Sequence, residues 1–344
     1  MSMTYPDSAA PMDPEPPPAA IPGLVWGFRI LDDGTASPLP VGEPVGLSGE
    51  GWLWLHLDLA DVRAVQWLRA ADLPDSAVAT MLSHDPHQQI HATERVVYGV
   101  LVDLVREIHG ATDDVGHLHF IMTDRLLLTG RRHALTALEA ARSTLAAGVA
   151  RVPHCASLLE LIVEHVADGV DEVAEELEAK LDDIEDHLAV RSIGVARRSL
   201  AGVRRASVRM HRHLSGLRAV LHRLERQGPR AVDPRLQLRV GHLVQRLDVL
   251  DHAVLEIRER GYRLQDEVSA TLNEETNRHL HLLSILTSLL LPPTLVAGVF
   301  GMNTKGLPFT EESSGFLWAM FLVIGSSVGA YLLLRLVGIL RPRD

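Results

Sequence analysis

The sequence predicts an α+β membrane protein: an N-terminal cytoplasmic α/β domain, a long helical stalk and two C-terminal transmembrane helices. Three observations carry this prediction. Residues 23–150 mix short β-branched or aromatic runs with amphipathic stretches. Residues 153–279 read as helix almost throughout. Residues 280–303 and 316–340 are apolar runs, each long enough to cross a hydrocarbon core of about 30 Å, which needs about 20 helical residues.

Composition narrows the function classes. The chain has 344 residues, a formal charge of −11 and one cysteine, Cys155. A single cysteine excludes an intrachain disulfide framework and fits a reducing compartment for the soluble part. An acidic chain makes a poor general nucleic-acid binder, so no such partner is expected. A negative cytoplasmic body would raise the local concentration of cations, although surface acid is also the ordinary solubility device. No nucleophile elbow, phosphate-binding loop or paired-cysteine metal motif is present, so no catalytic residue and no cofactor is assigned and the chain reads as a non-enzyme. Residues 1–22 are rich in Pro and acid and lack the basic start and apolar core of a secretory signal. They are expected to form a disordered tail.

Within residues 23–150, the runs 25–30, 52–59, 96–105, 117–123 and 125–129 are strand-like, while 61–71, 74–82 and 134–147 look helical. The order of strands in the sheet is not readable. Residues 157–190 place Leu158, Ile162, Val166, Val170, Val173, Leu177, Leu181 and Ile184 at helical spacing, with an acidic opposite face that includes Glu172, Glu175, Glu178 and Asp186. Residues 192–227 are the reverse, rich in Arg from Arg197 to Arg226. An acidic helix followed by a basic one suggests an antiparallel hairpin with complementary faces. The alternative is two independently solvated faces. Gly228-Pro229 and Asp233-Pro234 then break the chain. A third helix starts near Pro234 and meets no strong breaker until Pro292. Unbroken to Asn303 it is on the order of 100 Å long at 1.5 Å per residue, a length that neighbours rather than propensity must support.

In steps of three and four the end of this helix reads Asp266, Ala270, Asn273, Asn277, Leu280, Ser284, Thr287, Leu291, Thr294, Gly298, Gly301. Ser284, Thr287 and Thr294 lie on that stripe, while Ile285, Leu286, Leu289, Leu290 and Val296 lie off it. Polar residues inside a span face other helices or water, so the stripe is either a pore lining or a packing seam. Pro292-Pro293 removes two backbone donors and predicts a kink or a loosened turn. Gly325 and Gly329 give the second span a small-xxx-small pattern, which predicts close packing on a neighbour. Arg278 precedes the first span, and Arg335 with the basic tail 341–344 closes the second. The loop 304–315 carries Lys305 against Glu311 and Glu312. The positive-inside rule therefore puts both termini in the cytoplasm and the loop outside a plasma (cell inner) membrane.

Histidine pairs offer further candidate metal sites. His84, His87 and His91 share a helical face on spacing alone, although Pro86 disturbs that helix. His117 and His119 share one face of a strand, where a solvated edge is the plain alternative. His211 with His213, and His279 with His281, diverge by about 200° on a helix and cannot chelate within one chain.

Phe300-Gly301-Met302-Asn303 at the end of the first span, with Thr276-Asn277 and residues 291–298 upstream, resembles the signature of the CorA superfamily of divalent-cation transporters. The resemblance covers nearly the whole chain. Residues 303–308 and 123–129 look more like the ZntB-type zinc transporters, with Lys305 standing where a Gly is usual. The resemblance implies a CorA-like homopentamer in the lipid bilayer, in which each pore residue recurs as a ring. It places Gly301, Met302 and Asn303 at the outer entrance. There Asn303 would accept hydrogen bonds from the waters of a hydrated dication, and Gly301 and Met302 would shape the turn. Asn277, Leu280, Leu283, Ser284, Thr287, Leu291, Thr294 and Gly298 would line the path. The three leucines would form an apolar constriction, and Asp266 an acidic ring at the cytoplasmic end. The implied cargo is Zn2+, with Mg2+, Co2+, Ni2+ and Cd2+ as further candidates. High-affinity zinc sites use Cys, His and carboxylate, whereas this path offers amide and hydroxyl oxygen until Asp266. The preference for zinc therefore rests on resemblance. The rival readings are a Mg2+/Co2+ channel and a membrane-anchored coiled-coil scaffold or sensor.

Overall fold

The structure is a computed structural model that describes residues 20–46, 49–85, 87–105, 115–189, 193–227, 236, 238–302 and 315–336. Expectations for residues 1–19, Asn303, Lys305 and the tail 341–344 fall outside these residues. The chain divides into two compact units, Met1–Arg263 and Leu264–Asp344.

The elements of the first unit are β1 (Leu24–Ile30), β2 (Ala36–Pro38), β3 (Trp52–Asp58), α1 (Val62–Ala70), α2 (Asp75–Leu82), β4 (Gln89–Ala92), β5 (Val97–Leu104), β6 (Val115–Met122), β7 (Leu126–Arg131), α3 (Thr136–Ala146), α4 (Cys155–Ala189) and α5 (Ile193–Gln227). The strands form one sheet in the order β2-β1-β3-β7-β6-β5-β4. Only β3 and β7 run parallel, with Leu55 opposite Leu128; the other pairs are antiparallel. β3 is apolar on both faces because both are covered. Leu53, Leu55 and Leu57 join Leu68, Ala77 and Met81 of α1 and α2 in one core. The other face carries Trp54 and His56, next to Trp26, whose ring lies 5.6 Å from the Arg142 guanidinium of α3.

Two strands went unseen in the sequence. β2 and β4 are edge strands of three and four residues, too short to show an alternating pattern. The folded domain also starts earlier than residue 23. Ala20 bridges to Pro44 and Ile21 is buried in the core.

The histidine readings change with the sheet. α2 stops at Leu82 and His91 belongs to β4, so His84, His87 and His91 share no helical face. β6 lies between β5 and β7, not at an edge, and His119 is buried there. Its Nδ1–H donates to the Thr80 carbonyl at 3.2 Å, which leaves Nε2 to accept from Arg132 at 3.2 Å. Burial pushes this imidazole down to about 4, because the charged form loses its water. Asp103 of β5 plays the opposite part. It accepts from the Ala137 and Leu138 N–H groups at 3.1 and 3.2 Å, capping α3, which has no side-chain cap of its own. Burial pushes its carboxyl up to about 6 in spite of those donors.

α4 and α5 form the expected antiparallel hairpin, joined by an apolar seam that includes Leu177, Leu181, Val203 and Met210. Ion pairs from both of these helices go to the next helix rather than across the hairpin. The helix α6 (Val240–Phe300) binds Asp168 of α4 through Arg246, at 2.5 Å. Its Arg260 takes Asp182 and Glu185 of α4 at 2.6 and 2.8 Å. From α5, Arg218 reaches Asp248 and Asp251 of α6, both at 2.5 Å, and His211 Nδ1 meets Asp251 at 2.7 Å. A helix of 61 residues is thus gripped by neighbours along its first part.

The second unit holds the rest of α6 and α7 (Gly315–Leu336). α6 continues as helix through Pro292 and Pro293, where a kink or a loosened turn was expected. Among the described residues two helices are long and apolar enough to cross a membrane, α6 and α7.

Candidate functional site

The candidate site is one face of α6 between Asn277 and Met302. In the second unit the only partly shielded side chains of α6 beyond Leu272 are Ile285, Leu289, Pro292, Pro293, Val296 and Phe300. At 3.6 residues per turn these fall on one side of the helix. Asn277, Leu280, Leu283, Ser284, Thr287, Leu291, Thr294, Gly298 and Gly301 fall on the other, and all are exposed. Exposure alone does not single them out, since Leu282, Leu286 and Leu295 are also uncovered. Polarity favours them: within the apolar stretch the Ser284, Thr287 and Thr294 hydroxyls sit on the arc opposite the shielded side, while Ser288, also exposed, sits at its border. That arc is therefore not the seam that shields α6 within its own chain.

An open groove of about 760 Å³ runs along this face, lined by Thr287, Leu291, Thr294, Gly298 and Met302 and flanked by Leu290, Leu295 and Val299. The flanking residues lie beside the stripe that periodicity picks out, so the face is broader and more apolar than the stripe. The Thr294 hydroxyl donates to the Leu290 carbonyl at 2.6 Å. With its proton so used, its oxygen presents lone pairs only and can accept a hydrogen bond on this face. The helix ends at this point: Gly301 N–H still reaches the Ala297 carbonyl four residues back at 2.8 Å, but Met302 N–H reaches only the Val299 carbonyl, three back, at 3.3 Å. A side chain on Gly301 would sit 3.1 Å from the Ala297 carbonyl oxygen, so a glycine suits this close turn. Asn303, the expected entrance residue, lies outside the described residues. Asp266 is exposed, a few turns nearer the N-terminus of α6.

The second span uses another face within its own chain. The shielded side of α7 is Ala319, Val323, Ser326, Ser327, Ala330 and Leu334, whereas Gly325 and Gly329 are exposed with open space beside them. The glycine face is not the one covered within the chain. Ser326 and Ser327 satisfy their hydroxyls on the Val323 carbonyl at 2.8 and 3.2 Å, so they can be shielded without an unpaired donor. Among the described residues no three His, Cys, Asp or Glu side chains converge as a metal site.

Two uncovered apolar helices at the C-terminal end, the first bearing a polar face, belong to a membrane protein with two C-terminal spans. The profile of the CorA-like Mg2+ transporter protein family matches residues 49–336, and the chain belongs to that family. It is a transmembrane divalent-metal transporter and not an enzyme. The chain is 28% identical over 312 residues to "Zinc transport protein ZntB" of Pectobacterium carotovorum subsp. carotovorum (strain PC1), covering 88% of this chain and 92% of that protein. The fold is similar to the full-length CmaX protein, with a TM-score of 0.73 at 23% identity, covering 91% of this chain and 97% of that one. It is also similar to the CorA magnesium transporter from Methanocaldococcus jannaschii, with a TM-score of 0.67 at 17% identity, covering 90% and 96%.

Proposed function

We infer that this chain forms a homopentamer in the plasma membrane and conducts a divalent cation, zinc before magnesium, along a central path lined by the polar face of α6. The observation that carries this is the uncovered stripe from Asn277 to Gly298, which holds Ser284, Thr287 and Thr294 in a largely apolar span and lies opposite the side that its own chain shields. Two helices from one chain cannot enclose a polar path, so several copies must. In such a ring the Thr287 and Thr294 oxygens accept from a hydrated ion, and Leu280, Leu283 and Leu291 narrow the path enough to gate by dewetting. Asn303 stands at the outer entrance and Asp266 at the cytoplasmic end, with both termini in the cytoplasm.

Zinc is preferred because of the likeness to a zinc transport protein over 88% of this chain. A Mg2+ or Co2+ channel is the second reading, and one observation favours it. The donors on the stripe are oxygen only, which suits a dication that keeps its water. The test is metal flux into liposomes holding the purified full chain. Asn303→Ala is expected to lose most of the flux, and flux like that of the wild type would remove its entrance role. Competition between Zn2+ and Mg2+ separates the two cargoes. No metal-dependent flux under any condition would leave the anchored-scaffold reading in place.

A further inference from the structure

The α4–α5 hairpin carries opposite charges on its two outer edges. On α5, Arg198, Arg205, Arg212 and Arg226 recur at intervals of seven or fourteen residues, with Arg223 beside them. All are exposed, on the side of the helix away from the buried Ala196, Val203, Met210 and Leu214. On α4, Glu172, Glu175, Asp183 and Asp186 are exposed on the side away from Val170, Leu177 and Leu181. Each stripe lies on the side of its helix opposite its buried seam, and the Asp183, Arg198 and Arg205 side chains also border an open cleft between the two helices. α6 covers neither edge. It holds a third side, through Asp182, Glu185, His211 and Arg218. Among the described residues none of the four acids and none of the five arginines forms an ion pair within the chain.

The two edges also match in height. Asp186 is three residues before the end of α4 and Arg198 five residues after the start of α5. Glu175 stands fourteen residues from that end against twelve for Arg205, and Glu172 seventeen against nineteen for Arg212. In an antiparallel hairpin a two-residue difference is about 3 Å along the axis, well within the reach of an arginine. A rotation axis parallel to the hairpin keeps heights unchanged, so it brings the basic edge of one copy level with the acidic edge of the next. One basic and one acidic edge per copy is the head-to-tail arrangement that closes a ring.

We propose that these edges are an interface between copies of this chain: Arg198, Arg205 and Arg212 of one protomer dock on Asp186, Glu175 and Glu172 of the next. The proposal rests on the ring inferred above and specifies which surfaces set its order. Reversing one edge (Arg198→Glu, Arg205→Glu, Arg212→Glu) puts like charge against like charge. So does reversing the other (Glu172→Arg, Glu175→Arg, Asp186→Arg). Either triple variant of the full-length, detergent-solubilised chain is expected to fall from the ring mass toward single chains, measured by light scattering after size-exclusion chromatography. The chain carrying both sets is expected to regain the ring. A ring mass unchanged in both triple variants overturns the proposal and leaves the ring intact. A wild-type chain that is itself monomeric overturns the ring and the proposal together.

A second measurement does not depend on the reversed variants folding. A chain with Glu175→Cys and Arg205→Cys places two thiols on opposite edges of its own hairpin, so a disulfide between them must join two molecules. The native Cys155 is buried and does not compete. Mild oxidation is expected to give a ladder of covalently linked chains. No ladder from a preparation that runs at ring mass overturns the proposal.

Discussion

Single-cysteine substitutions along α6 test the polar face directly, because the chain is already close to a thiol-free background. Its one cysteine, Cys155, is 1% exposed, and burial pushes its thiol well above the usual range. Thiol reagents attack the thiolate, so Cys155 stays silent at neutral pH. Consider Cys placed in turn at Thr287, Leu291, Thr294 and Gly298, then at Ile285, Leu289 and Val296. The first set lies on the exposed stripe, and the second on the shielded side. Forming a charge in hydrocarbon costs about 2.5–3.5 kcal/mol on the insertion scale. At about 1.4 kcal/mol per decade, that slows thiolate chemistry about a hundredfold. The assay is the labelling rate with a charged, membrane-impermeant thiosulfonate on the full chain in liposomes. Stripe positions should react about two orders of magnitude faster than shielded ones and should lose flux as they do. Equal rates on the two sides, or faster labelling at Ile285, Leu289 and Val296, would refute the assignment of this face to water.

The first unit yields further expectations. Asp251 is 3% exposed and accepts from both Arg218 and His211; removing one partner of a buried pair costs about 3–5 kcal/mol. Because Arg218 keeps Asp248, Asp251→Ala should cost less, about 2–3 kcal/mol, read as a fall of several degrees in the unfolding midpoint. Asp103 and His119 should give opposite pH slopes. The Asp103 carboxyl is raised from 3.8 to about 6, so its contribution is full below the unfolded value and is lost as pH rises through about 6. The His119 imidazole is lowered from 6.5 to about 4, so its contribution is full above 6.5 and is lost as pH falls toward 4. Melting curves at pH 4.5 and 7.5 should show Asp103→Asn gaining relative to wild type at the higher pH. His119→Gln should gain at the lower one. Shifts of the same sign for both would contradict the burial argument.

Much of this architecture is legible in the sequence where pattern and length are strong. The central strands, the three long helices and the two spans all follow from periods of two and of 3.6 residues and from apolar run length. The readings that failed share a cause: they depended on neighbours distant in the chain. His119 looked like half of a strand-edge pair, but β6 is interior because β5 and β7 flank it. The stripe from Asn277 to Gly301 was readable as polar positions at helical spacing. Whether its own chain covers it was not, because shielding depends on which side the next helix takes.

The sequence alone determined that this chain spans a membrane twice near its C-terminal end, that its first span is polar on one face, and that an acidic helix precedes a basic one. These are properties of residue type and spacing along one helix, and no partner is needed to state them. The tertiary structure decided which faces remain available. It gave Asp251, Asp182 and Glu185 to the grip on α6, turned Gly325 and Gly329 away from the side that α7 has covered, and left the stripe and both hairpin edges open. Burial and pairing join residues tens of positions apart, and a periodicity read along the chain carries no information about such distances.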